Sequence, residues 1–93
     1  MAPELKEIVV HTFKVNGADT LFQTHIRVVK WMIRGVETPM KLEKRAMLKQ
    51  EDGTFKLGKR QAFTVDDVKF IVENSLDVIE LMEGKIKSED IHD

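Results

Sequence analysis

The stretch KRAMLKQEDGTFKLGKR, residues 44–60, gathers side chains suited to one kind of chemistry, the binding of a polyanion. Lysines and arginines recur on both sides of Asp52-Gly53. A row of them on extended strands can follow a phosphate backbone, because each contact releases condensed counterions. Asp-Gly between two alternating runs is a strong hairpin signal. With a two-residue turn, Lys49 pairs with Lys56, Leu48 with Leu57, Arg45 with Arg60 and Leu42 with Phe63. Leu42, Ala46, Leu48, Leu57 and Phe63 then share one face. Lys41, Arg45, Lys49, Lys56 and Arg60 share the other. A slip of one residue destroys this sorting, so the pattern itself supports the register. Like charges directly opposite are destabilising, and a bound phosphate backbone would relieve them.

Single-strand binders add aromatic rings on which bases stack. The candidates are Trp31, Phe55 and Phe22, with Phe22 expected in the core. As a strand residue, Trp31 lies on the same face as Arg27, and both join the candidate nucleic-acid contacts. Enzymatic chemistry finds little support. His11, His25 and His92 are far apart and match no metal-ligand spacing. No nucleophile-elbow or phosphate-loop motif is present. Asp66 and Asp67 read as first-turn helix residues. No catalytic residue, metal or cofactor is called for.

The 93 residues suit one domain, expected over residues 1–84, with 85–93 as a polar, flexible tail. Apolar residues make up 42% and charged residues 33%, a globular balance. The chain has no cysteine, which excludes disulfides and thiol catalysis. Its start lacks the basic and apolar regions of a signal peptide, and no apolar run is long enough to span a bilayer. A cytoplasmic protein is the expectation, nucleoid-associated if bacterial. The net charge of −1 hides a split. Residues 1–60 hold 12 Lys/Arg against 7 Asp/Glu, and residues 61–93 hold 3 against 9. Such asymmetry predicts a basic surface on one part of the fold.

The elements that must carry these residues follow from periodicity and composition. Leu5–Val15 reads as a strand and residues 16–19 as a turn. Residues 20–34 are ambiguous. Phe22, Ile26, Val29 and Ile33 follow helical spacing, whereas Thr24, Ile26, Val28, Val29 and Ile33 are β-branched and favour a strand with a bulge near Val28-Val29. Residues 36–39 form a loop. Thr64-Val65-Asp66-Asp67 predicts a helix start with a capping box. Val65, Val68, Ile71, Val72, Leu76, Ile79 and Met82 make its apolar stripe, and Gly84 its end. Phe70 and Leu81 fall on the far side. They are expected to be exposed in a monomer and to form a dimer contact.

Taken in order, these elements resemble a known family. VVKW (28–31), GVETP (35–39), KLEKR (41–45), EDG (51–53), FKLGKR (55–60) and AFTVDDVKFIVE (62–73) are similar in order and spacing to the positive cofactor 4 type of single-stranded-DNA-binding domain. The resemblance covers about half the chain, Ile26 to Glu73, and no single element of it is specific. It implies an α+β fold, a curved four-stranded antiparallel sheet followed by a C-terminal amphipathic helix (ββββα). It also implies a homodimer paired through the helices, with residues 20–34 as strand. Arg45, Lys56, Lys59 and Arg60 fall where the family has basic contacts. Leu48 stands where some members carry a stacking aromatic. The implied function is binding of single-stranded DNA or RNA with little sequence preference, in replication, repair or transcription, with no membrane partner. The other reading is a protein-interaction or regulatory module of βαββα fold, with a basic amphipathic helix at 20–34.

Overall fold

In the computed structural model, which describes residues 4–91, the ambiguous segment is a strand. β1 (Leu5–Asn16) and β2 (Phe22–Ile33) each run for 12 residues. They are followed by β3 (Val36–Glu37), β4 (Lys41–Lys49) and β5 (Phe55–Arg60). Two helices follow, α1 (Val65–Glu73) and α2 (Ser75–Met82). The pairings are antiparallel, the sheet order is β1-β2-β4-β5, and β3 pairs with the end of β2. The fold is thus α+β, with the sheet first and the helices last. By its contacts the chain divides into two compact units, one up to Ala62 and one from Phe63 on, where the sequence predicts a single domain. Among the described residues, no helix is long and apolar enough to cross a membrane.

β2 mimics a helical pattern because it is the central strand. Its Ile26 and Val28 are buried on one face and Val29 on the other, so strict alternation is lost. Pairing on both edges lets its β-branched residues decide the outcome. The basic helix of the alternative fold is therefore absent. The irregularity expected near Val28-Val29 exists, but it lies on the partner strand. β1 carries an extra residue between Val9 and His11, opposite that pair, and a second between Thr12 and Lys14. Residues 36–37, expected in a loop, return along β2 through a two-residue turn at Arg34-Gly35. Both have positive φ (52° and 82°), as a type I′ hairpin turn requires.

The β4–β5 hairpin exists, but its register differs from the expected one. Leu48 pairs with Lys56 and Lys49 with Phe55. The loop has three residues, Glu51-Asp52-Gly53, closed by Gln50 N–H to Thr54 O at 2.8 Å, with Gly53 at φ 85°. The Asp52 side chain accepts from the Thr54 amide at 3.0 Å and from its hydroxyl. These hydrogen bonds hold the Asp52 carboxyl below the usual carboxylate range. A bulge between Leu57 and Arg60 then restores the Arg45–Arg60 pair. The expected 49/56 repulsion does not arise, and Lys56 shares a face with Leu48 and Phe22 rather than with the other basic residues.

Gly58 permits the bulge, since a Cβ there would stand 2.9 Å from Ala46 O and 3.1 Å from Ala46 Cβ. Gly58→Ala is expected to destabilise the fold by about 1–3 kcal/mol, read as a lower urea midpoint. An unchanged midpoint would show that the bulge has room.

The helical unit starts as its sequence predicts. The Thr64 hydroxyl accepts from Asp67 N–H at 3.3 Å, and the Asp67 carboxylate accepts from Thr64 N–H at 2.8 Å. The predicted single helix is broken at Asn74. Its ψ is 15°, and its side-chain amide donates to Phe70 O at 2.9 Å. A side chain that enters the backbone ladder in this way bends a helix. The burial pattern reverses the expected one. Leu81 is 1% exposed and Phe70 is half-buried. Val65, Val68, Val72, Leu76 and Ile79 of the predicted core stripe are 50–71% exposed. The expected dimer contact at Leu81 is thus buried within one chain, because Val78 and Leu81, three apart on α2, are the buried positions. Residues 85–91, expected to be a frayed tail, are hydrogen-bonded through Lys85 N–H to Glu80 O (2.8 Å) and a 3-10 turn over Ser88–Asp90. His92 and Asp93 lie outside the described residues.

Candidate nucleic-acid interface

The cross-strand register gathers the charged residues of interest on one face of the sheet. His25 pairs with Arg45, Arg27 with Glu43 and Val29 with Lys41 across β2–β4. Glu7 pairs with Trp31 across β1–β2, and Arg45 with Arg60 across β4–β5. Lys49 lies on this face too, at the hairpin end beside Phe55.

The centre of this face is an ion cluster that the sequence analysis did not foresee. Arg27, proposed as a nucleic-acid contact, is 2% exposed. Its guanidinium meets Glu7 Oε1 at 2.9 Å and Glu43 Oε1 at 2.8 Å, and its Nε donates to Glu43 Oε1 at 3.0 Å. It is occupied by carboxylates and withdrawn from solvent. Arg45 donates to both Glu43 oxygens, at 3.3 and 3.2 Å, and to Gly58 O at 3.1 Å. The like-charged Arg45–Arg60 pair is therefore compensated inside the protein. Burial works to raise the Glu43 carboxyl, but hydrogen bonds from Arg45 and Arg27, with their charges, outweigh it and hold the group below the usual range.

Beside this cluster the surface opens into a cleft of about 330 Å³, at the low end for a ligand site. Val29, Trp31, Ile33 and Pro39 form apolar wall, and Lys41 and Arg60 supply charge. Trp31 is half-buried and fixed at its backbone. Its N–H donates to Thr38 Oγ1 at 2.9 Å, and its carbonyl accepts from Thr38 N–H at 2.8 Å. The turn at Arg34-Gly35 is what returns Thr38 to this position. Lys41 is exposed, and the Arg60 side chain is 71% exposed. An aromatic wall beside two exposed cations can stack a base and hold its flanking phosphates.

Of the eight residues proposed to bind nucleic acid, the cleft unites Trp31, Lys41 and Arg60. Lys49 lies on the same face, Arg45 is largely engaged, Arg27 is buried, Lys56 is on the opposite face, and Lys59 is exposed in the bulge. Of the other aromatics, Phe55 meets His25 edge-to-face at 5.2 Å. Phe22 is 78% exposed where a core residue was expected, because it sits at the first position of β2, beyond the buried centre.

His25 is buried beside the cluster. The Gln23 amide donates to Ala18 O and Thr20 O, both at 3.2 Å, which leaves its oxygen to accept from His25 Nε2–H at 2.8 Å. Burial, and then the Arg27 charge, lower the His25 pKa from its ordinary 6.5. The folded protein thus takes up this proton less readily than the unfolded chain. Stability is full above about pH 6.5 and falls as the pH drops from there towards the folded value. The Glu43 contribution is lost only lower, as the pH falls through its depressed value. Urea midpoints at pH 7.5 and 5.5 check the sign. The midpoint is expected to be lower at pH 5.5, and His25→Gln is expected to shrink that difference.

Set against family models, curated proteins and solved structures, the chain matches none.

Proposed function

We propose that this protein binds single-stranded nucleic acid with little sequence preference, through the Trp31–Lys41–Arg60 cleft. One observation carries the proposal, namely that a tryptophan whose backbone is held by two hydrogen bonds to Thr38 shares a cleft with two exposed cations. The resemblance of residues 26–73 to the positive cofactor 4 type of domain points the same way, and a sheet-then-helix order fits it. A base stacked on Trp31 would place neighbouring phosphates near Lys41 and Arg60, with Lys49 further along the face. Backbone contacts and stacking serve any sequence, which suits a role wherever single strands are exposed, in replication, repair or transcription. Trp31 is the only tryptophan, so its fluorescence reports on the cleft. Oligo-dT is expected to quench it saturably, and emission unchanged under conditions of demonstrated binding would move the site elsewhere.

The proposal includes a homodimer, held by the exposed stripe Val65, Val68, Val72, Leu76 and Ile79 rather than by Phe70 and Leu81. Within each helix these residues lie three or four apart, on one side. Apolar side chains exposed together mark an interface. Val72→Asp with Leu76→Asp is expected to give folded monomers in sedimentation, because a carboxylate desolvated in an apolar contact is costly. A parent protein that sediments as a monomer at high concentration would remove the dimer.

A further inference from the structure

Glu43 meets three arginines, and the three are not equivalent. Side-chain exposure rises from 2% at Arg27 through 14% at Arg45 to 71% at Arg60. Arg27 and Arg45 hold Glu43 by hydrogen bonds of 3.0–3.3 Å. Arg60 Nε stands 3.6 Å from Glu43 Oε2, beyond hydrogen-bond reach. Its attraction to Glu43 is therefore purely electrostatic, and most of its side chain faces water. Arg60 and Glu43 also line the same cleft.

We propose that Glu43 is a positioning residue for Arg60, with its carboxylate standing in for a phosphodiester. In the free protein it draws Arg60 over the cleft, and on binding Arg60 exchanges Oε2 for a phosphate oxygen of the strand. This rests on the reading of the cleft as a single-strand site. The exchange leaves no charge stranded. Glu43 keeps Arg27 on Oε1 and Arg45 on Oε2, so the cluster stays paired after Arg60 leaves. The weak partner is the exposed one, and the strong partners are buried or largely so. Glu43 is consequently also a competitor, because the strand's phosphate must displace it.

Removal of the competing charge should strengthen binding, and the gain should pass through Arg60. Glu43→Gln is expected to raise oligo-dT affinity about two- to fivefold at 50 mM salt, the scale of a partly exposed ion pair. Glu43→Asp, which keeps the charge, should gain less than Glu43→Gln. In an Arg60→Gln background the gain from Glu43→Gln should largely vanish. An equal gain in both backgrounds would overturn the proposal, since Glu43 would then act by charge at a distance. So would weaker binding by a folded Glu43→Gln protein.

Arginine Nε–H signals in NMR give a second readout on the parent, with no substitution to fold. Saturating oligo-dT should shift the Arg60 signal and leave those of Arg27 and Arg45 in place. A bound complex with an unmoved Arg60 signal would overturn the exchange alone. A parent that binds no oligonucleotide would overturn the cleft reading and the exchange together.

Discussion

Arg27→Ala is expected to destabilise the protein by about 3–5 kcal/mol, the cost of breaking a buried ion pair from one side. Arg27 is the inner cation of the cluster, with Glu7 and Glu43 within 3 Å of its guanidinium. Without it Glu7 loses its cation, and Glu43 relies on Arg45 and the distant Arg60. Both carboxylates lie in a partly desolvated place, where an uncompensated charge is unfavourable. A small domain has about 5–15 kcal/mol of stability in all, so the loss would be a large fraction and could leave the chain unfolded at 37 °C. Urea denaturation followed by circular dichroism measures it. A loss below about 1 kcal/mol would show that water reaches the cluster and screens it.

The second large effect concerns binding. Lys41→Glu with Arg60→Glu is expected to weaken single-strand affinity on the order of a hundredfold at low salt, because two phosphate contacts become two repulsions. Both side chains are exposed, so the fold should survive, and a parent-like urea midpoint checks that. The salt dependence should become shallower. Trp31→Ala is the contrasting case, with a loss of about 1–3 kcal/mol and the salt slope nearly unchanged. Oligo-dT titrations at several salt concentrations separate charge from stacking. Parent-like affinity in the charge-reversed protein would exclude the cleft as the binding site.

The parts of the fold that depend on local chemistry were legible in the sequence. Asp52-Gly53 marked the hairpin, Thr64 and Asp67 marked the helix start, and the β-branched content of 20–34 favoured a strand. Features that depend on distant partners were not. The hairpin register turned on a loop of three residues rather than two, which carried Lys56 to the other face, and a bulge at Gly58 then restored the Arg45–Arg60 pair. The Glu7–Arg27–Glu43 cluster joins three strands, so no local spacing could announce it. A charged residue within each of three strands was its only trace. Asn74, a weak helix former between Glu73 and Ser75, was the only local trace of the break in the helix, and periodicity read across it reversed the buried and exposed sides. For the site, Lys41, Arg60 and Trp31 were each nameable from residue type, but their meeting in one cleft depends on the Arg34-Gly35 turn and on the bulge that returns Arg60 to Arg45.

The central claim is that this sheet face binds single-stranded nucleic acid, and one titration tests it most directly. Fluorescently labelled oligo-dT is titrated with the parent protein at 50 and 200 mM salt and followed by anisotropy. Two or three phosphate contacts, at Lys41, Arg60 and Lys49, predict saturable binding at the lower salt and a log–log slope of about −1.4 to −2, from roughly 0.7 per phosphate. No measurable affinity for the oligonucleotide at 50 mM salt would contradict the account.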